Sequence, residues 1–333
     1  MKKVRWGILS TAKIAQRELI PAFGRAQNAE VAAIASGSGK AEEVAAKFNI
    51  PKSYGSYEEL LQDPEIDAVY IPLPNHLHKQ WTMEAAKHGK HVLCEKPASM
   101  TPDETREMAE FCRKKNVKFM EAFMYQFHPQ HERVREIIAS DEIGEVKYMR
   151  ASFSFLLAQR EGNIKMDKQK GGGSIYDVGC YCVHAIRNVL QTEPVEVHVH
   201  ANIDPDHEVD TSAFVYMKLA NGMTGYFDCS FDMTFRAEYE IIGTEGKIQV
   251  PRAFRPDHQG GEGLVIVQKE FVKREEKITG DIYKLEVEHI SNVILEDGEP
   301  SYTAENSINN TRAIQACYES IQTGMIVQLD SQD

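Results

Sequence analysis

Over the first 122 residues short apolar runs alternate with helical patterns, and this alternation limits the fold more than any other feature. Val4–Leu9 reads as a strand, and Ile14–Ala26 as a helix that Pro21 kinks or breaks. Val31–Ala35 is a second strand, followed by a helix near Ala41–Asn49. Ser56–Gln62 makes a short helix, Ala68–Ile71 a third strand, Leu77–His88 a helix and His91–Cys94 a fourth strand. Thr101 as N-cap, Pro102 at the first helical position and Glu104 three residues after the cap announce the next helix. Lys118–Ala122 supplies a fifth strand. Strands and helices in this rhythm mean a parallel sheet covered on both faces. Ligands of such sheets bind beyond the carboxyl ends of the strands.

After about residue 123 the pattern changes. A helix near His131–Ser140 leads into long β-type runs at Val146–Leu157, Val195–Ile203, Ser212–Leu219 and Thr224–Ser230. Tyr239–Gly243 and Lys247–Val250 flank Thr244-Glu245-Gly246, a hairpin turn with glycine placed for positive φ. A last helix, about Glu305–Thr323, stops before Gly324. The expected fold is α/β: a dinucleotide-binding Rossmann domain over 1–122, and an α+β domain with a large, mostly antiparallel open sheet over 123–333. With 333 residues the chain exceeds what one hydrophobic core usually organises. Such a sheet has a face to cover, which predicts a homodimer or tetramer.

Composition narrows the partners. Thirty-eight Lys and Arg stand against 50 Asp and Glu, for a net charge of −12. An acidic surface disfavours nucleic acid and anionic lipid. No run approaches the roughly 20 apolar residues that span a bilayer. Val4–Leu9, interrupted by Arg5, is too short for a signal-peptide core, so a cytoplasmic location is expected. The six cysteines fit no C-x-x-C spacing and read as free thiols. His198 and His200 share a strand face but lack a third ligand, so no metal site is expected.

The residues with chemistry gather at the expected strand ends. The first turn, with Gly7, Leu9, Ser10, Thr11, Ala12, Lys13 and Ile14, has small residues, Ser10 and Ala12, where glycine is typical, so that a pyrophosphate can approach the backbone at the helix N-terminus. Between Val31 and Ala41 there is no acid to bond the ribose hydroxyls of NAD. Ser36, Ser38 and Lys40 suit a 2′-phosphate instead, so NADP is preferred over NAD, unless the loop is merely polar. Pro72, Leu73, Asn75 and His78 follow the third strand, and Glu95-Lys96-Pro97 follows the fourth. Gly171-Gly172-Gly173 then opens a helical pattern in which Asp177, Tyr181 and His184 stand at i, i+4 and i+7, one helix face.

Together these segments resemble the glucose-fructose oxidoreductase / inositol dehydrogenase / rhizopine-catabolism (Gfo/Idh/MocA) family over essentially the whole chain. Glu95-Lys96-Pro97 and the glycine run with Asp177-x-Gly179-x-Tyr181 are the most specific elements. Tyr181, with the Glu121–Pro129 stretch that includes Tyr125, is similar to the branch of dihydrodiol dehydrogenases, NADP-dependent D-xylose dehydrogenases and glucose-fructose oxidoreductase. Ser10 and Ala12 replace family glycines, and Gln126 stands where arginine is common.

The resemblance implies hydride transfer between a nicotinamide and a carbinol or carbonyl carbon of a sugar, polyol or diol. Tyrosine, with an ordinary pKa of about 10, is a poor base at neutral pH, and a lysine ammonium beside it favours tyrosinate. Tyr181 is therefore expected as general acid/base, and Lys96 as its electrostatic partner and substrate anchor. Asp177 orients Lys96 or a substrate hydroxyl. Glu95 and Asn75 belong near the ribose and nicotinamide, and Tyr125 and His184 near the substrate. The alternative is a non-catalytic NAD(P)- or sugar-sensing protein on the same fold.

Overall fold

Each apolar run of the first 122 residues forms a strand, and one more strand lies where the pattern was silent. In the computed structural model, which describes residues 2–329, the strands are β1 (Val4–Leu9), β2 (Ala29–Ala35), β3 (Lys52–Tyr54), β4 (Ala68–Ile71), β5 (His91–Glu95) and β6 (Phe119–Ala122). They pair in the order β3-β2-β1-β4-β5-β6, every pairing parallel. Ile8, Ile34, Val69 and Leu93 are fully buried, as a sheet covered on both faces requires. The order reverses between β1 and β4, so the loops after Leu9 and Ile71 leave a crevice at their carboxyl ends. β3 was unexpected because Lys-Ser-Tyr, on the sheet's edge, carries no apolar run.

The helices of this region are α1 (Ile20–Arg25), α2 (Ala41–Phe48), α3 (Tyr57–Gln62), α4 (His78–Lys87) and α5 (Pro102–Lys114). The kink expected at Pro21 is a change of winding, because a π-turn over Ala15–Leu19 runs into α1. Proline has no N–H to donate to the turn before it, and the wider turn absorbs that loss. Thr101 caps α5 as expected, its hydroxyl accepting from the Glu104 amide at 3.3 Å. The reciprocal arm differs: Glu104 Oε2 accepts from the Met100 amide.

The later chain forms α6 (Pro129–Ala139), β7 (Val146–Leu156), a π-turn over Ile175–Gly179, α7 (Cys180–Leu190), β8 (Pro194–Ile203), β9 (Asp210–Leu219), β10 (Thr224–Ser230), β11 (Asp232–Gly243), β12 (Lys247–Val250), β13 (Glu262–Lys269), β14 (Val272–Thr279) and β15 (Val327–Gln328). These strands make one sheet in the order β14-β13-β12-β11-β7-β10-β9-β8-β15. Only β7 and β10 pair in parallel. α7 packs on β7 and β10, and α6 on β13 and β14. On β8, Val197 and Val199 are buried while His198 and His200 are exposed on the opposite face. The hairpin at 244–246 joins β11 to β12 as expected. Gly246 does not take a positive φ, however; a Cβ there would lie 2.7 Å from the Gln268 carbonyl.

Two further helices close the chain: α8 (Ile282–Glu296), which the sequence pattern left unread, and α9 (Ala304–Thr323), ended by Gly324 at φ +67°. They alter the domain division. Among the described residues one unit comprises 2–124 and 283–308, the other 125–282 and 309–329. A single cut at 122/123 was expected; the first boundary falls two residues later and a late segment returns to the first unit. Its reason is packing: Val287 and Ile290 are fully buried and Trp6 Nε1 donates to Ser291 Oγ at 3.1 Å. All six cysteines are buried free thiols.

Candidate functional site

In the first unit the turns after β1 and β2 share a cavity of about 590 Å³ lined by Ser10, Thr11, Ala12, Ser36, Gly37, Ser38, Ser56, Tyr57 and Glu58. Ser10 has φ +136°, a conformation normally left to glycine. Its hydroxyl accepts from the Ala12 amide at 3.1 Å, which ties the turn together. Ser36 and Ser38 hydroxyls meet at 2.8 Å, and the Ser38 amide donates to Ser36 Oγ. Hydroxyls and turn amides fit a phosphorylated ribose. Ser56, Tyr57 and Glu58 escaped the sequence reading as site residues because they belong to the start of α3, whose Ser56–Glu59 capping box signals a helix and not a ligand. Lys13 and Lys40 are exposed and lie outside this lining. Leu9 is fully buried and Ile14 half-buried. Gly7 sits inside β1, where a Cβ would come within 2.5 Å of Leu60.

The loops after β4 and β5 are joined by one side chain. His78, fully buried, places Nε2 at 2.8 Å from the Leu73 carbonyl and Nδ1 at 2.9 Å from the Pro97 carbonyl. Burial holds its pKa below the ordinary value. Pro72 is buried, Leu73 and Asn75 are half-buried, and the Lys96–Pro97 peptide is cis. Tyr70 donates to Glu95 Oε1 at 2.5 Å, and the Lys96 amide donates to Glu95 Oε2 at 3.3 Å. Glu95 thus anchors the backbone from which the half-buried Lys96 side chain projects. Burial, followed by the charge of Glu95, pushes the Tyr70 hydroxyl up and keeps it a donor.

In the second unit the glycine run meets protein rather than open space. A Cβ on Gly172 would lie 2.6 Å from the Lys165 carbonyl and 2.8 Å from the Asp167 amide. Gly173, at φ +119°, abuts Asp210 so closely that a Cβ would collide with its carboxylate. Asp210 Oδ2 accepts from Ser174 Oγ and the Ile175 amide, both at 2.7 Å, and Oδ1 accepts from Tyr318 at 2.9 Å. This buried carboxylate pins the first turn of the segment that carries Asp177 and Tyr181.

The π-turn over Ile175–Gly179 breaks the simple i, i+4, i+7 spacing. Asp177 is half-buried and pairs with Lys165. Tyr181 is 6% exposed, with ring centroids of Phe153, Tyr125 and Phe254 at 5.3, 5.8 and 5.8 Å. His184 is fully buried, its Nδ1 2.5 Å from the Tyr125 hydroxyl. Burial holds His184 well below its ordinary pKa, so it is neutral. Tyr125 and His184 form a bonded pair, and the Tyr125 ring packs against that of Tyr181. Among the described residues no three His, Cys, Asp or Glu side chains gather as a metal-ligand set.

The N-terminal residues 4–123 match the family described as "Oxidoreductase family, NAD-binding Rossmann fold", and residues 131–249 match the GFO/IDH/MocA C-terminal domain. The chain belongs to the GFO/IDH/MocA oxidoreductases. It is 40% identical over 326 residues to a D-xylose 1-dehydrogenase (NADP(+)) of Haloferax volcanii, covering 98% of this chain and 99% of that one. It is 34% identical over 250 residues to a trans-1,2-dihydrobenzene-1,2-diol dehydrogenase of Xenopus tropicalis, covering 74% and 75%. Among solved structures, KijD10, a 3-ketoreductase from Actinomadura kijaniata in complex with NADP and TDP-benzene, superposes with a TM-score of 0.88 at 26% identity, covering 96% and 98%. These GFO/IDH/MocA relatives are dehydrogenases and reductases, and none supports the non-catalytic alternative.

Asp210 gives the GFO/IDH/MocA scaffold a testable dependence on pH. Burial, against its three donors, pushes its carboxyl up to about 6. A carboxyl raised on folding binds its proton more tightly in the native state. Its stabilising contribution is therefore full below about pH 4 and is lost as pH rises through about 6. Urea unfolding of wild type should carry this slope, and Asp210→Asn should lack it. Asp210→Ala should cost about 3 kcal/mol or more, because it strands three buried donors.

Proposed function

We propose that this protein is an NADP-dependent dehydrogenase of sugars, polyols or diols, with Lys96 and Tyr181 as its catalytic residues and Asp177 orienting Lys96 or a substrate hydroxyl. The observation that carries the reading is Lys96 projecting from a backbone braced by Glu95 and His78 at the end of a Rossmann strand. Bound NADP supplies the hydride acceptor. Lys96 holds the reacting oxygen with its positive charge, which stabilises the alkoxide formed as the hydroxyl proton leaves. Tyr181 takes that proton during oxidation and returns it during reduction. Asn75, Leu73 and Pro72 follow the strand end beside which a nicotinamide ribose binds in such folds. The xylose dehydrogenase relative and the NADP-bound ketoreductase favour the same cofactor.

Cofactor choice rests on the Ser36–Lys40 loop. NADP should bind at least tenfold more tightly than NAD when both are titrated against intrinsic fluorescence. Lys40→Ala should weaken NADP selectively; an equal loss for both cofactors, or tighter NAD binding, contradicts the assignment. The same reading includes a homodimer or tetramer formed through the open face of the second unit's sheet, where Tyr216 is 40% exposed. A monomeric mass by light scattering at micromolar concentration removes that part. Six buried free thiols accord with a reducing, cytoplasmic setting.

A further inference from the structure

Lys165 lies outside every motif, in a loop between β7 and the π-turn, yet its side chain ends on Asp177. The loop is locked there by its backbone. The Gly173 amide donates to the Lys165 carbonyl, and the Gly172 amide donates to the Asp167 carbonyl, each at 2.9 Å. Asn163 Oδ1 accepts from the Lys165 amide at 3.1 Å, and Met166, 2% exposed, fixes the loop to the core. Neither Gly172 nor Gly173 has room for a side chain, so the glycine run is what lets the loop lie down. The Lys165 ammonium sits 5.6 Å from the Phe155 ring centroid, and its side chain remains 34% exposed.

An ammonium has three N–H donors. One is directed at Asp177, and the others remain for a ligand at the partly open end. An anionic ligand there would meet the Asp177 carboxylate. A hydroxyl, which both accepts and donates, suits a cation and carboxylate side by side. We infer that Lys165 is a specificity-determining residue that, with Asp177, binds a hydroxyl of the substrate other than the one oxidised. This inference rests on the dehydrogenase reading and assigns it polyhydroxylated substrates.

The test couples the side chain to single substrate hydroxyls. Wild type and Lys165→Met are assayed with NADP on an aldose and its monodeoxy analogues. The variant should lose at least tenfold in kcat/KM on the parent aldose, mainly through KM. For one deoxy analogue its loss should fall below threefold, because the partner hydroxyl is already absent. Equal losses across parent and all analogues, or no loss, overturn the inference. Failure of the dehydrogenase reading is separately visible. If wild type oxidises no aldose, xylitol is titrated by thermal shift in the presence of NADP. A shift in wild type that Lys165→Met abolishes sustains the hydroxyl site without the activity, and identical curves overturn it.

Discussion

Lys96→Met should reduce kcat/KM by at least about 10³ while leaving NADP affinity within about threefold, the scale expected when a positioned charge is removed from the reacting oxygen. Methionine keeps an unbranched apolar stem close to that of lysine and removes the ammonium, with its charge and its N–H donors. The surroundings stay in place because they are built on backbone and on Glu95. The Lys96 amide bonds Glu95 Oε2, Tyr70 bonds Glu95 Oε1, and His78 holds the Pro97 carbonyl. Steady-state kinetics beside a fluorescence titration of NADP separate the two effects. A variant that keeps a tenth of wild-type kcat/KM removes Lys96 from the chemistry.

Tyr181→Phe should cost about 10²–10⁴ in rate, the usual value of a positioned general acid/base. Packing will not confuse the result. The ring lies among Phe153, Tyr125 and Phe254, and phenylalanine refills that space. The wild-type rate of oxidation should rise with pH as the phenol ionises, and this limb should vanish in the variant. His184 is the competing base by position, but it is buried, neutral and bonded to Tyr125. If Tyr181→Phe retains near-wild-type activity while His184→Asn does not, the proton passes through His184.

The parallel sheet was legible because its inner strands are buried on both faces and write continuous apolar runs. β3 was not, since an edge strand of three residues needs no such run. α8 was missed for a different reason. Its buried residues pack in the first unit near β1, where Trp6 bonds Ser291 from 285 positions earlier in sequence, and local pattern does not report distant packing. Lys96, Asp177 and Tyr181 were legible as motifs on strand ends and on a helical segment. The helix-face argument assumed 3.6 residues per turn throughout; the π-turn at 175–179, which carries Asp177, departs from that spacing, whereas Tyr181 and His184 both lie on regular α7. Asp210 and Lys165 were invisible. One lies 36 residues from the serine it bonds, and the other reaches Asp177 from an irregular loop. The glycine run itself was visible, but the acids and backbone that explain it were not.

Transfer of a labelled hydride distinguishes a dehydrogenase dependent on Lys96 from a protein that only binds the cofactor. The protein is incubated with NADP and aldoses, polyols or diols deuterated at the carbinol carbon, and the reduced cofactor is examined by NMR. Deuterium at C4 of the nicotinamide, appearing with wild type and lost with Lys96→Met, is the predicted result. No reduced cofactor from any of these substrates, under conditions where NADP binds, contradicts the account.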